Sequence, residues 1–285
     1  MLSLAKRNMK LYFRDRSAVF FSFLSVMIII VLYALFLENS AAENLKGIQG
    51  AHLLIKDWMT AGILAVGSVT TPLGALGSMV DDRAGGISRD LFASPVARWK
   101  IAGGYILSAF LIGVILCTAT FAVAEGLLAA AGGTLPTGEE LLKLAGLLLL
   151  SALSGSTMAF FLVTFLKSSG SYGAASTVVG TLIGFLTGVY VPIGALPDSV
   201  QTVIRLFPTS HAAALFRQIL LEQQSKLSFS GQYAPGADIF QKHMGVVYVW
   251  NGQTVQEWQS ILFLLAGAAL FFGLSVLSLA RQQKS

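Results

Sequence analysis

The main pattern of the chain is a series of six long apolar blocks separated by shorter polar stretches. The blocks cover residues 18–37, 58–80, 101–131, 144–166, 174–196 and 260–280. A helix of about twenty apolar residues is ~30 Å long, which matches the hydrocarbon thickness of a bilayer. The pattern therefore predicts an all-α, polytopic membrane protein with six transmembrane helices.

The basic residues between the blocks predict the orientation of these helices. Twelve of the nineteen lysines and arginines fall on one side: before the first block, after the second and fourth, and after the sixth. The short loops on the other side contain only Lys46, Lys56 and Lys143. Because cytoplasmic loops carry an excess of Lys and Arg, both termini are predicted to be cytoplasmic.

Residues 197–222 are fairly apolar but are interrupted by proline and charge. Pro197 and Pro208 divide them into two pieces, each too short to cross a bilayer. We interpret the pieces as a re-entrant pair of short helices that dip into the outer leaflet, because protein or a cavity can cover such broken backbone. An ordinary interfacial loop is the alternative. The polar segment that follows, residues 223–259, is expected to be extracellular.

Composition supports the membrane class and excludes several functions. Hydrophobic residues make up 55% of the 285 residues and charged residues 12%, whereas soluble domains are about 25% charged. The net charge is +5, but the basic residues lie between apolar blocks and not beside aromatic ones, which argues against nucleic-acid binding. The single cysteine, Cys117, excludes an internal disulfide.

No motif for catalysis or nucleotide binding is found. The P-loop pattern G-x-x-x-x-G-K-[ST] does not occur and the three histidines are scattered, so neither a nucleotide site nor a metal site is expected. Glu125 is the one acid inside an apolar block and is interpreted as a snorkelling or cavity-edge residue; no pair of buried carboxylates is expected. Asp81 and Asp82, at the cytoplasmic end of the second block, are expected to be hydrated. The chain is not predicted to be an enzyme.

Two polar segments on the predicted cytoplasmic side have amphipathic patterns. Residues 1–17 mix basic and apolar positions at roughly helical spacing, which predicts a helix lying on the membrane interface. Residues 81–100 have room for one short helix before Pro95, with an apolar side from Leu91 and Phe92. Such a helix can dock into a groove of a partner protein. For residues 1–17 the alternative is a basic segment that only sets the orientation of the first span. For residues 81–100 the alternative is a solvated loop.

The fifth block contains three glycines at intervals of four residues, Gly180, Gly184 and Gly188. In one helix these residues would share a face and would let a second helix approach closely. We therefore expect a helix–helix contact on this face.

In their order along the chain, these features resemble the ABC-2 family of exporter permeases over nearly the whole length. One local pattern is an acid–basic pair, a glycine, a leucine and a small residue before proline, here Asp82-Arg83, Gly86, Leu91 and Ser94-Pro95. The other is similar to the family's re-entrant region and consists of Phe207-Pro208-Thr209-Ser210-His211 followed by Arg217. The chain departs from the family at Asp82, where Glu is common, and at Ile87 and Arg89, where Thr and an acid are common.

The resemblance implies the membrane subunit of a bacterial ABC exporter in the cytoplasmic membrane. Two permeases, as a homodimer or with a related chain, would bind two copies of a separate ATPase. That ATPase would bind ATP and magnesium, so this chain would hold no cofactor. The residues implied for ATPase coupling are Asp82, Arg83, Gly86, Arg89, Leu91, Phe92, Pro95, Arg7 and Arg14. Those implied for the dimer interface are Gly180, Gly184 and Gly188, and those for the outer gate are Pro208, His211 and Arg217.

The cargo is predicted only in outline. The candidate pathway residues are Thr70, Thr71, Thr187 and Tyr190, although threonines within spans are more often packing residues. Few charges would face the pathway, which favours a lipophilic or amphipathic cargo such as a drug, an antibiotic or a peptide; a lipid-linked polysaccharide is a further alternative. An ATP-independent transporter or channel would need buried ion-pairing residues or an inverted repeat. A non-transporting scaffold would not need a coupling helix.

Overall fold

The computed structural model describes residues 1–32, 48, 50–250 and 252–281 of the chain. The end of the first predicted span, residues 33–37, lies outside the described residues. The side chains of Arg89 and Phe92, two of the predicted coupling residues, also lie outside the described part.

The described part of the chain is almost entirely helical, which confirms the all-α class. Its helices are α1 (Leu2–Arg14), α2 (Arg16–Leu32), α3 (Ala51–Ala75), α4 (Gly77–Ala84), α5 (Ile87–Ala93), α6 (Arg98–Ala130), α7 (Gly138–Val163), α8 (Ser169–Leu186), α9 (Asp198–Arg205), α10 (Pro208–Leu220), α11 (Glu222–Ser228), α12 (Gly236–His243) and α13 (Glu257–Arg281). Short 3₁₀ turns cover Ile193–Ala195 and Gly231–Tyr233. An antiparallel hairpin pairs β1 (Val249–Trp250) with β2 (Gln253–Thr254), with Val249 opposite Thr254.

Helix α3 lies at the centre of the bundle. It contacts α6, α7, α8 and α10, and its most apolar stretch is 78% buried, against 28% for α13. Small residues permit this close packing: a Cβ added to Gly155 of α7 would overlap the backbone of α3 at Ser68. An apolar helix covered on all sides is a core helix, whereas the exposed apolar side chains of α13 suit contact with lipid.

Within the described residues, four helical segments are long and apolar enough to cross a membrane. They are Ala51–Ala84, which joins α3 and α4, and Arg98–Ala130, Gly138–Val163 and Glu257–Leu279. These segments correspond to the second, third, fourth and sixth predicted spans. The first and fifth predicted spans correspond to α2 and α8, which are not among the four within the described residues. The count of six spans therefore stays a prediction.

The predicted end of the fifth span is wrong, because α8 ends at Leu186 and not at residue 196. The backbone of Gly188 is left-handed, with φ of 70°. The Val189 N–H donates to the Gly184 carbonyl (2.9 Å), and the Gly188 N–H donates to the Phe185 carbonyl (3.0 Å). This pair of bonds closes a helix at a left-handed residue, which is usually glycine because it has no Cβ.

Residues 197–222 contain two helices separated near Phe207, as the prolines predicted. Pro197 precedes α9, and Pro208 is the first residue of α10, where its missing N–H costs no helical hydrogen bond. Helix α10 packs against α3, α7 and α13. The depth of the pair in a membrane stays a prediction.

Candidate functional site

Asp82 is the centre of a buried polar contact at the end of α4. Its carboxylate accepts two parallel hydrogen bonds of 2.7 Å from the Arg7 guanidinium and one of 2.6 Å from the Tyr105 hydroxyl. Asp82 is only 3% exposed. The expectation that both acids at this end are hydrated is therefore wrong for Asp82, although Asp81 is exposed.

The three partners come from three helices, so this contact holds α1, α4 and α6 together. Forked, charge-assisted bonds from arginine to carboxylate are strong and fix the relative orientation of the two groups. The hydrogen bond from Arg7 to Asp82 raises the pKa of the Arg7 guanidinium above its ordinary value, against a smaller opposing effect of burial. Arg7 therefore stays charged throughout the range in which proteins are studied.

Arg83, the next residue, connects α4 to the end of α7. Its Nη1 donates to the carbonyls of Val163 (3.0 Å), Thr164 (3.3 Å) and Leu166 (2.7 Å). The last carbonyls of a helix have no partner within the helix, and they carry the negative end of its dipole. Arg83 satisfies them, so the Asp82-Arg83 pair connects α4 to three neighbouring helices.

The predicted short helix before Pro95 is confirmed as α5. It begins after Gly86, whose φ of 80° makes the turn out of α4, and it ends before Ser94, which is extended. Leu91 is half-buried against the core next to α4. Ile87 was not selected from the sequence as a docking residue, yet its side chain is 42% exposed. Helix α5 thus presents an apolar side chain outward.

The remaining predicted coupling residues lie at the surface. Arg14 is exposed at the end of α1, and Pro95 is exposed after α5. Helix α1 packs on α6 through Ala5, Asn8 and Tyr12. Several apolar side chains of α1 remain exposed, as expected of a helix on a membrane interface: Leu2, Leu11 and Phe13.

The predicted outer-gate residues Pro208, His211 and Arg217 all lie on α10, but His211 and Arg217 contact different parts of the chain. His211 is 4% exposed; its Nε2 lies 2.8 Å from the Arg205 carbonyl and its Nδ1 3.0 Å from the Ser260 hydroxyl. Because a carbonyl only accepts, Nε2 carries the proton. An open cavity of about 690 Å³ lies beside His211, lined also by Arg205, Trp250 and Phe263.

Arg217 is completely buried and joins three parts of the chain. Its guanidinium donates to the carbonyls of Thr187 (2.8 Å) and Gly245 (3.3 Å) and lies 4.8 Å from the ring centroid of Trp58. The Trp58 indole in turn donates to the Met244 carbonyl at 2.7 Å. The sequence pattern pointed to Arg217 but not to Trp58, which was interpreted only as the start of an apolar block.

The three predicted interface glycines do not share one helix face. Gly188 lies beyond the end of α8, so that part of the prediction is wrong. At Gly184 an added Cβ would overlap the ring of Tyr190 of the same chain, whereas at Gly180 it would meet open space. Among the three, only Gly180 lies on a free surface of α8.

The predicted pathway residues are not brought together around a cavity in the described part of the chain. Thr70 donates to the Val66 carbonyl within α3, and Thr187, just after the end of α8, donates to the Ile183 carbonyl of that helix. Thr71 is buried. Tyr190 packs edge-on against Phe185. Their role along a pathway stays a prediction, and the threonine bonds are those of ordinary packing residues.

Three carboxylates line one small cavity, which the sequence analysis did not predict. Asp57 of α3, Glu125 of α6 and Glu140 of α7 surround a space of about 10 Å³, and each residue is less than 10% exposed. Glu140 accepts from the Thr137 N–H and from Gln223, but Glu125 Oε2 is buried and has no hydrogen-bond partner among the described residues. Glu125 lies at a cavity edge and does not snorkel. The three acids are distant in sequence, so no spacing could indicate the cluster.

The described part of the chain contains no group of three or more His, Cys, Asp or Glu residues that could hold a metal ion.

Long apolar helices joined by buried polar contacts define this chain as a multi-pass α-helical membrane protein. The sequence model of the ABC-2 type transporter family matches residues 1–221, which is more than three quarters of the chain. The chain therefore belongs to the ABC-2 type transporter family, a family of membrane subunits of ABC transporters. The match includes α1, the Asp82-Arg83 pair and α10, and it ends where α11 begins. A comparison with curated proteins found no match.

Proposed function

We propose that this chain is the permease of a bacterial ABC exporter, with six spans, both termini in the cytoplasm and a separate ATPase bound below. The observation that carries this proposal is the Asp82 contact. It fixes the amphipathic helix α1 to the helix that leads directly into α5. A force applied to α5 would therefore reach α4, α1 and α6 together, which is what coupling to an ATPase requires.

Helix α5 would be the docking element. Its exposed Ile87 suits a groove on a partner, while half-buried Leu91 holds the helix against the bundle. The partner would bind ATP and magnesium, and this chain would supply no catalytic residue. Closure of two ATPase subunits would push on α5 and α1, and the rigid contacts at Asp82 and Arg83 would pass the motion to the spans.

Helix α8 would form part of a homodimer interface. Three exposed apolar side chains follow one stripe of this helix, Val178, Leu182 and Phe185. Within one chain α8 packs mainly on α3 and α4, which leaves this stripe uncovered. The pathway for a lipophilic or amphipathic cargo would then lie between two copies of the chain.

The outer gate would consist of α9, α10 and the residues that hold them. Arg217 fixes the end of α8 and the segment after α12 to α10, and His211 fixes α10 to α9 and α13. A rigid gate of this kind could tilt as one unit while the spans move.

The docking proposal is tested by one substitution with a matched control. Ile87→Glu should reduce the amount of ABC-type ATPase that co-purifies from the native membrane at least several-fold, without changing the amount of permease. Ile239→Glu is the control, because Ile239 is 72% exposed on α12, far along the chain from α5. Equal ATPase recovery from both variants, or no ATPase with the unmodified chain, would contradict the proposal.

One observation favours a second function, ion-coupled transport. Asp57 and Glu125 are buried acids beside one cavity, and buried acids in membrane proteins commonly carry ions or protons. Vesicles that contain the protein, a trapped pH-sensitive dye and no nucleotide provide the test. Dissipation of a pH gradient that requires the protein and is lost in Glu125→Gln would favour this function over the ATP-driven one.

A further inference from the structure

An apolar groove of about 480 Å³ runs along the side of the bundle between α6, α7 and α13. Its walls consist almost wholly of hydrocarbon, including Ile106, Leu107 and Phe110 of α6 and Ala269 and Phe272 of α13. The one hydroxyl in its lining, that of Thr157, donates to the Ser154 carbonyl of its own helix. Along its length the groove therefore offers no free hydroxyl donor and almost no polar surface to an occupant.

The dimensions of the groove fit one extended hydrocarbon chain. On α6 its lining extends from Trp99 to Phe110, a rise of ~17 Å and about half of the ~30 Å hydrocarbon thickness. The volume of about 480 Å³ spread over this length gives a cross-section of roughly 28 Å². A helix with side chains is about 10 Å across and does not fit such a groove.

One end of the groove is positively charged and aromatic. Trp99 lies at the mouth, and the Lys100 ammonium is 5.6 Å from its ring centroid. Arg98 is the residue before Trp99 in the sequence. Lys100 is exposed, and no carboxylate pairs with it among the residues that the structure describes. Tryptophan is enriched at the level of lipid headgroups, and basic residues there attract anionic lipid.

We propose that this groove binds an anionic phospholipid, with one acyl chain between α6, α7 and α13 and the phosphate beside Lys100. The groove provides the apolar length, Trp99 marks the headgroup level, and Lys100 supplies the charge that distinguishes an anionic from a zwitterionic headgroup. The proposal requires only that the chain is embedded in a bilayer, so its outcome is independent of ATPase binding.

Tryptophan fluorescence tests the proposal in the intact protein. The protein is reconstituted in phosphatidylcholine with about one tenth of a chain-brominated phospholipid, either phosphatidylglycerol or phosphatidylcholine. Bromine quenches nearby indoles, and the share due to Trp99 is the difference between the unmodified protein and Trp99→Phe. We expect this share to be at least twofold larger with the brominated phosphatidylglycerol.

Three variants test whether the charge of Lys100 and the groove itself cause the lipid preference. Lys100→Gln should make the two lipids quench equally, and Ala269→Phe, which fills the groove, should reduce quenching by both. Lys10→Gln removes the same charge from an exposed residue of α1 that does not line the groove, and should leave the preference intact. Equal quenching by the two lipids in the unmodified protein would overturn the proposal. Loss of the preference in Lys10→Gln as large as in Lys100→Gln would overturn it too, because general surface charge would then explain the selectivity.

Discussion

The Arg7 guanidinium and the Asp82 carboxylate form two parallel hydrogen bonds of 2.7 Å, although 75 positions separate them in the chain. The two residues differ in burial: the side chain of Asp82 is 5% exposed and that of Arg7 is 37% exposed. Loss of Arg7 would leave a buried carboxylate with Tyr105 as its one remaining side-chain donor in the part of the chain that the structure describes. Loss of the Asp82 charge would leave a cation that water can reach, which costs much less.

We therefore predict that Arg7→Gln destabilises the protein more than Asp82→Asn does. The expected losses in free energy of unfolding are about 2 to 4 kcal/mol for Arg7→Gln and about 1 kcal/mol for Asp82→Asn. The double variant should resemble Asp82→Asn, because no buried charge is then left unpaired. Unfolding of the purified protein in detergent measures all three.

Lys143→Gln is the control for this comparison. Lys143 pairs with Glu139 at 2.8 Å, but both side chains are more than half exposed, so the loss should be much smaller than for Arg7→Gln. Equal losses for Arg7→Gln and Asp82→Asn, or the reverse order, would show that the buried carboxylate does not dominate this contact.

Arg217 gives a second prediction, about the region proposed as the outer gate. Arg217→Lys keeps the charge but loses the planar fork that reaches the Thr187 and Gly245 carbonyls and covers the Trp58 ring. Two buried carbonyls would lose their donor, at about 1 to 3 kcal/mol each. We expect a fall of about 2 to 6 kcal/mol in the free energy of unfolding.

Arg205→Lys is the matched control, since Arg205 is only half-buried and its guanidinium donates to one side chain, that of Gln201. Its effect on unfolding should be within about 0.5 kcal/mol. If Arg217→Lys unfolds at the same denaturant concentration as the control, the guanidinium does not hold this region together.

Features that repeat along the chain could be predicted from the sequence. Features that depend on contacts between distant residues could not. Apolar runs predicted the four long helices, and the short helix predicted before Pro95 is present as α5. The buried state of Asp82 could not be predicted, because it depends on Arg7 and Tyr105 from two other helices. The acidic cavity was missed for the same reason, since Asp57, Glu125 and Glu140 lie on three helices.

The glycines of α8 show how a correct local pattern can be assigned the wrong role. Spacing alone places Gly180, Gly184 and Gly188 on one face, but periodicity carries no information about where the helix stops. Gly188 is needed for the left-handed turn that ends α8, and Gly184 makes room for Tyr190. Contacts within a single chain therefore explain why both positions are glycine.

The different surroundings of Gly188 and Gly180 yield a third prediction. Gly188→Ala should lower the free energy of unfolding by at least about 1 to 2 kcal/mol, because an L-residue is strained at φ of 70°. Its Cβ would also overlap Ile193. Gly180→Ala should be neutral or slightly stabilising, since alanine favours helices and the added Cβ meets open space. Unfolding in detergent at low protein concentration compares the two variants, and a larger loss for Gly180→Ala would contradict this account.

The fourth prediction concerns the proposed dimer. If the exposed stripe of α8 lies against the same stripe of a second copy, single cysteines placed there will come within the ~7 Å between Cα atoms that a disulfide permits. Val178→Cys or Leu182→Cys should therefore give a covalent dimer when membranes are treated with a mild oxidant. Both residues are more than half exposed in one chain, and the native Cys117 is buried and should not react.

Leu142→Cys is the control for this experiment, because Leu142 is 76% exposed and apolar but lies on α7, away from α8. It measures the background of random collisions in the membrane, which depends on exposure and not on a specific interface. A covalent dimer formed by Val178→Cys at several times the background supports α8 as an interface. Equal yields from the two helices would place the contact between copies elsewhere.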